Sequence, residues 1–156
     1  MKIAIGSDHC GYEMKVALRL VFEDLGVEVT DFGCYSTEPV DFPDVARKVC
    51  DAVRRGGFQR GIMVCGTGVG AAIAANKIPG IRAAVCHDIH SAHQCVEHDD
   101  VNIMCIGAQI IGPWLAEDLI RAFVQAEFST EEHFRRRVGK LRLLELETAK
   151  ELMGEK

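Results

Sequence analysis

The sequence predicts an α/β protein in which a five-stranded parallel sheet is covered by helices on both faces. Three observations predict it: five short apolar runs, helix-period patterns between them, and glycine or proline at the junctions. "KIAIGS", residues 2–7, is a buried strand ending in Gly6-Ser7. Met14, Leu18, Val21 and Leu25 lie at helical spacing over residues 11–25, and Gly26 stops that helix. "VEVTDFG", 27–33, alternates apolar residues as a second strand. Pro43 starts the next helix, Val45, Val49 and Val53 form its apolar stripe, and Gly56-Gly57 closes it. Residues 60–65 are strand three, followed by a short helix over 69–77. "IRAAVC", 81–86, is strand four, a helix follows over 89–97, and "NIMCIGA", 102–108, is strand five. Pro113 opens a helix running to Phe128, and a charged helix over 131–153 extends the C-terminus. No repeat or linker divides the pattern, so residues 1–156 are expected to form one three-layer α/β/α domain. Its ligand loops should lie at the strand C-termini.

Composition narrows the function classes. Hydrophobic residues make up 48% and charged residues 26% of the 156 residues, as in an ordinary globular chain. A net charge of −5 argues against nucleic acid as the partner. The N-terminal apolar run is too short for a signal peptide or membrane span, which excludes a membrane role. Seven cysteines without a CxxC pair point to reduced thiols in a cytoplasm.

The chemistry concentrates in "CGTGVGA", Cys65 to Ala71, at the end of strand three. A P-loop requires Lys-Ser/Thr after its last glycine, and Ala71-Ala72 stands there. A thiol phosphatase would place an arginine where Ala71 stands. The dinucleotide fingerprint is matched in part by Gly66, Gly68 and Ala71, with Asp88 twenty residues past Gly68. Against that reading, the motif follows the third strand, its helix is short, and no second domain is left for a redox substrate. A merely tight turn would need fewer glycines. The remaining reading is a backbone cradle for developing negative charge, formed by the N–H groups of Gly66, Thr67, Gly68, Val69 and Gly70. A helix N-terminus favours a neighbouring thiolate, which would make Cys65 a base or nucleophile.

Other polar residues are candidates by position. Asp8 and His9 end the first strand, although Asp8 also suits an N-cap of the first helix. His87, His90 and His93 recur every third residue, but a solvated helix face explains them better than a metal site. No metal or cofactor is expected. His98, between Glu97 and Asp99-Asp100, is placed to act as an acid or base near neutral pH. Arg135, Arg136, Arg137, Lys140 and Arg142 form a cluster suited to a phosphate.

"GSDHCG", "CGTGVGAAIAANK", "EHDDVN" and the His/Arg-rich last helix together resemble the family of ribose-5-phosphate isomerase B and galactose-6-phosphate isomerase subunits. The resemblance spans essentially the whole chain. It implies a Rossmann-like domain, a homodimer with shared sites or a tetramer of two such dimers, no cofactor, and aldose–ketose interconversion of a sugar phosphate. By resemblance, Cys65 matches the base between C1 and C2, and Thr67 matches the hydroxyl that shuttles protons between O1 and O2. His98 of a partner subunit matches the ring-opening group, and Asp8 and His9 match sugar and phosphate contacts. Family members that use a glutamate base carry it where this chain has Ala71. Four features depart from the family pattern. Asp99 replaces an asparagine, Gln109 a phosphate-site arginine and Phe42 a tyrosine. Alignment on Val138 puts His133 and Arg137 at two phosphate-binding arginine positions, with Arg136 as a substitute. Ribose 5-phosphate is the first expectation for the substrate, with another phosphorylated or free sugar as the alternative. A nucleotide-binding regulatory module is the non-enzymatic alternative.

Overall fold

A computed structural model describes residues 1–154. Its elements follow the predicted alternation. They are β1 (Lys2–Ser7), α1 (Tyr12–Ala17), α2 (Arg19–Asp24), β2 (Glu28–Asp31), α3 (Phe42–Arg54) and β3 (Arg60–Cys65). They continue as α4 (Val69–Ala75), β4 (Ala83–Val85), α5 (Ile89–Asp99), β5 (Ile103–Gly107), α6 (Pro113–Gln125) and α7 (Glu132–Met153). The five strands form one sheet in the order β2-β1-β3-β5-β4, and every pairing is parallel.

Strand periodicity divides the core into two layers. Ile3, Ile5, Ile62, Val64, Met104 and Ile106 face one side, with Leu18, Phe22, Val96 and Phe123 from α1–α2, α5 and α6. Ala4, Met63, Cys65, Ile103 and Cys105 face the other, against Val45, Val49 and Val53 of α3 and Ala71 and Ala75 of α4. Because β1 connects to β2 over one face of the sheet and β3 connects to β4 over the other, the connections leaving the C-terminal ends of these adjacent strands diverge. The crevice between β1 and β3 is therefore the topological switch point where ligands bind in such sheets.

The structure revises several boundaries. The helix expected over 11–25 is two short helices, interrupted at the fully buried Leu18, whose ψ of −1° leaves the α-helical range. The fourth strand keeps only three residues of the six expected, as befits an edge strand. α6 ends at Gln125 rather than Phe128, because Ala126 turns to extended backbone. Arg60 satisfies the freed carbonyls by donating to those of Phe123, Val124 and Ala126. α7 has no buried residue and meets the body through Phe134 against His98 and Glu145 against the Gly80 N–H. Among the described residues, no helix is long and apolar enough to cross a membrane.

Candidate active site

The glycine loop is shaped by close approaches that only glycine permits. A Cβ on Gly11 would lie 2.2 Å from the Val64 carbonyl oxygen, so the loop after β1 presses directly on the end of β3. Gly68 has φ +79°, a left-handed conformation that turns the chain from β3 into α4. That turn aims the Gly68 N–H at the Cys65 sulfur, 3.1 Å away. The Thr67 hydroxyl accepts from the Val69 N–H at 3.4 Å, which leaves its own proton free to donate. Beyond β5, the Ala108 and Gln109 amides donate to Cys65 and Gly66 carbonyls at 2.8 and 3.0 Å. The ladder thus continues one step past the sheet and holds the loop.

Side chains from three other segments line this loop. Gln109 lies over Gly66, where an added Cβ would stand 3.0 Å from its Oε1. The Phe42 ring covers Gly70 at 3.0 Å by the same measure. Asp8 is buried, and its Oδ1 accepts the Gly11 N–H at 3.0 Å. It closes the β1–α1 turn and does not cap α1, whose N-cap is Gly11. His9 Nδ1 accepts the Val40 N–H at 3.3 Å. Asp8, His9, Cys65, Thr67, Gly70 and Gln109 thus gather at the C-terminal edge of the sheet.

A second group assembles elsewhere. His98 lies in the last turn of α5, not in the connection to β5, and stacks on Phe134 with ring centres 3.9 Å apart. His133 packs against the same ring at 3.9 Å and Arg137 lies over it at 5.8 Å. Arg136 pairs with Glu132 at 2.9 Å, and His133 faces Glu131 at 3.3 Å. The backbone carbonyls of Asp99 and Asp100 accept from Arg82, the residue just before β4. These bonds locate the group. α5 leaves the C-terminal end of β4 and runs back, so His98, Asp99, His133, Arg136 and Arg137 stand at the N-terminal edge. Within one chain this second group sits at the sheet edge opposite Cys65.

Two further residues emerge only in space. His87, expected on one helical face with His90 and His93, precedes α5, and its Nε2 accepts the Gly107 N–H at 3.0 Å. It ties the end of β4 to the end of β5 beside Thr67. Cys10 carries an exposed thiol beside the loop, its Cβ 3.8 Å from the Cβ position of Gly66. Asp8, His9 and Cys10 offer donor atoms within 4.8 Å of one another, the composition of a metal site. Their chemistry argues otherwise. The Asp8 oxygen and the His9 Nδ1 already accept backbone N–H groups, and a neutral ring so engaged keeps its proton on Nε2.

Local desolvation, then the Asp8 carboxylate and Cys65, hold the Cys10 thiol above its ordinary range. Asp8→Asn removes one raising charge, so more Cys10 is thiolate at about pH 8 and its alkylation is expected to quicken roughly two- to threefold. Quantifying the tryptic peptide 3–15, which holds no other cysteine, measures this. A rate that is unchanged or slower contradicts the electrostatic coupling.

A model of a family described as Ribose/Galactose Isomerase matches residues 3–141. The "Ribose-5-P isomerase B" of Listeria innocua is 46% identical over 129 residues, covering 83% of this chain and 87% of that protein. The "D-erythrulose-4-phosphate isomerase" of Pectobacterium atrosepticum is 41% identical over 132 residues, covering 82% and 85%. Among solved structures, the ribose-5-phosphate isomerase B of Clostridium thermocellum superposes with TM-score 0.91 at 45% identity, covering 95% of this chain and 99% of that one. With a Rossmann-like α/β/α fold, the protein is an enzyme of the aldose–ketose isomerase class. It belongs to the ribose/galactose isomerase family.

Proposed function

We propose that this enzyme interconverts ribose 5-phosphate and ribulose 5-phosphate by proton transfer through a cis-enediolate, with Cys65 as the base. The observation that carries the mechanism is the Cys65 sulfur at the switch-point crevice, accepting the Gly68 N–H at 3.1 Å. Removing a proton beside a carbonyl needs a base within reach and donors aimed at the oxygen that gains charge. Cys65 takes the proton from C2 and returns it to C1. The amides of residues 66–70 stabilise the enediolate, and the Thr67 hydroxyl exchanges the proton between O1 and O2. Asp8 and His9 hold the sugar hydroxyls, and Gln109 borders the reacting end.

His98 opens the furanose ring, and it does so from a second copy of the chain. Its place at the opposite sheet edge from Cys65 supports this reading, as do the exposed Val69, Ile73, Ile110 and Trp114. The same copy brings His133, Asp99, Arg136 and Arg137 toward the phosphate. The active form is accordingly a homodimer of two shared sites, formed by one domain per chain. Its seven free thiols fit a cytoplasmic enzyme. A four-carbon phosphate is the second reading, favoured by the similarity to the Pectobacterium protein.

The test is a screen of three- to six-carbon aldose and ketose phosphates, with free sugars, followed by NMR in deuterated water. Ribose 5-phosphate should give the highest kcat/KM and incorporate deuterium at one carbon. Highest activity on a tetrose phosphate selects the second reading, and highest activity on a free sugar overturns both. Arg137→Ala is expected to raise KM for the preferred phosphate about ten- to a hundredfold, the worth of a charge-assisted hydrogen bond. Its kcat should change less, because uniform binding acts on KM. An unchanged KM would remove Arg137 from the phosphate site.

A further inference from the structure

Two cysteines outside the proposed catalytic group stand together. Cys86 follows β4 and is fully buried, and Cys95 is half-buried on α5. Their sulfurs lie 3.9 Å apart, in S–H···S contact. The Cys95 sulfur also lies 3.4 Å from the Ala92 carbonyl oxygen, to which it donates. Nine residues separate the two in sequence, and the turn from β4 into α5 folds them onto each other. Cys95, half-buried, lines a cavity of about 670 Å³ with Arg82, Asp99, Leu141 and Arg142. Cys65 belongs to the opposite core layer, across the sheet from Cys86.

We propose that Cys86 and Cys95 form a peroxide-reactive thiol pair, oxidised reversibly to a disulfide that links the end of β4 to α5. The pairing suits this chemistry. The hydrogen bond with Cys95 draws the Cys86 thiol below the ordinary range against its burial, so the thiolate of the pair rests on Cys86, while that bond and burial hold the Cys95 thiol well above it. Cys86 therefore serves as the base that takes the Cys95 proton when Cys95, which lines the cavity, meets a peroxide. The Cys95 sulfur attacks hydrogen peroxide as its proton passes to Cys86, the O–O bond breaks, and Cys95 becomes a sulfenic acid while the departing hydroxide takes that proton from Cys86 and leaves as water. The Cys86 thiolate then attacks the Cys95 sulfur, the S–O bond breaks, and a second water leaves. Two thiols and one peroxide become one disulfide and two waters. The sulfurs must close from 3.9 Å to about 2.05 Å, a shift within the reach of rotamer change and small helix movement. In a reducing compartment the pair rests as thiols and responds only when peroxide rises.

The test uses the full chain and does not depend on which sugar it isomerises. Protein treated with a slight excess of hydrogen peroxide should lose two mass units, and dithiothreitol should restore them. Cys86, Cys95 and Cys105 share one tryptic peptide, 83–121, so digestion at Asp88 and Glu97 is needed to isolate the linkage. The expected product joins the fragment containing Cys86 to that containing Cys95. Cys95→Ser should abolish the two-unit loss at the same peroxide dose, and Cys86→Ala should instead leave Cys95 oxidised beyond the sulfenic stage. If Cys86→Ala does not fold, the linkage map and Cys95→Ser decide the matter. Recovery of both cysteines as free thiols, or a linkage through Cys10 and Cys65 instead, overturns the proposal.

Discussion

Cys65→Ala is expected to lower kcat about a hundred- to ten-thousandfold while leaving KM nearly unchanged, because it removes the group that carries the proton. Cys65 is nearly buried, at 4% exposure among Ala4, Ala71 and Cys105, so truncation also costs packing. That cost is about 1 kcal/mol and leaves a folded protein, which circular dichroism and thermal unfolding would verify. Cys65→Ser separates chemistry from packing. Its hydroxyl still accepts the Gly68 N–H and fills the space, yet it is a far weaker base at neutral pH. Both variants should therefore be inactive in deuterium exchange at the sugar carbon. Substantial exchange in either one would assign proton transfer to another residue.

His98→Asn should slow turnover of a furanose substrate by a comparable factor, but a tetrose 4-phosphate, whose ring hydroxyl is blocked, by less than about tenfold. Loss of the stacked contact with Phe134 costs about 0.5–1.5 kcal/mol, so the variant should fold. The geometry adds a sharper expectation. Cys65 and His98 lie at opposite edges of one sheet, so two defective chains can complement each other. In an equal mixture after subunit exchange, half the dimers are mixed and each holds one intact site of two. About a quarter of wild-type activity should return when Cys65→Ala and His98→Asn proteins are combined. No recovery after exchange is verified by mass would place both groups in one chain's site.

Much of the fold was legible because local chemistry decides it. Five apolar runs separated by amphipathic patterns can bury their surface only as a covered parallel sheet. Element order and most boundaries followed from glycine, proline and periodicity. The glycine loop was legible for the same reason: its thiol, hydroxyl and left-handed turn occupy consecutive positions. The misplaced boundaries fell where tertiary packing overrides pattern, at buried Leu18, at edge strand β4, and at Ala126 beside Arg60. His98 was misread as a connecting residue because Glu97-His98-Asp99-Asp100 has the polarity of a loop. Packing of Val96 and stacking on Phe134 keep that stretch helical.

By itself, then, the sequence determined the alternating α/β chain, the thiol on a glycine turn, and the likeness to sugar-phosphate isomerases. All three are written in contiguous residues. The tertiary structure alone decided which distant residues share a site. Gln109 and Cys10 come to Gly66, and His87 comes to Gly107, through the order β2-β1-β3-β5-β4. The direction of α5 carries His98 away from Cys65. The turn between β4 and α5 sets Cys86 against Cys95. The physical reason is that periodicity specifies which face of an element is buried, whereas strand order and helix direction specify what that face meets. Those depend on the packing of the whole sheet, which no short stretch contains.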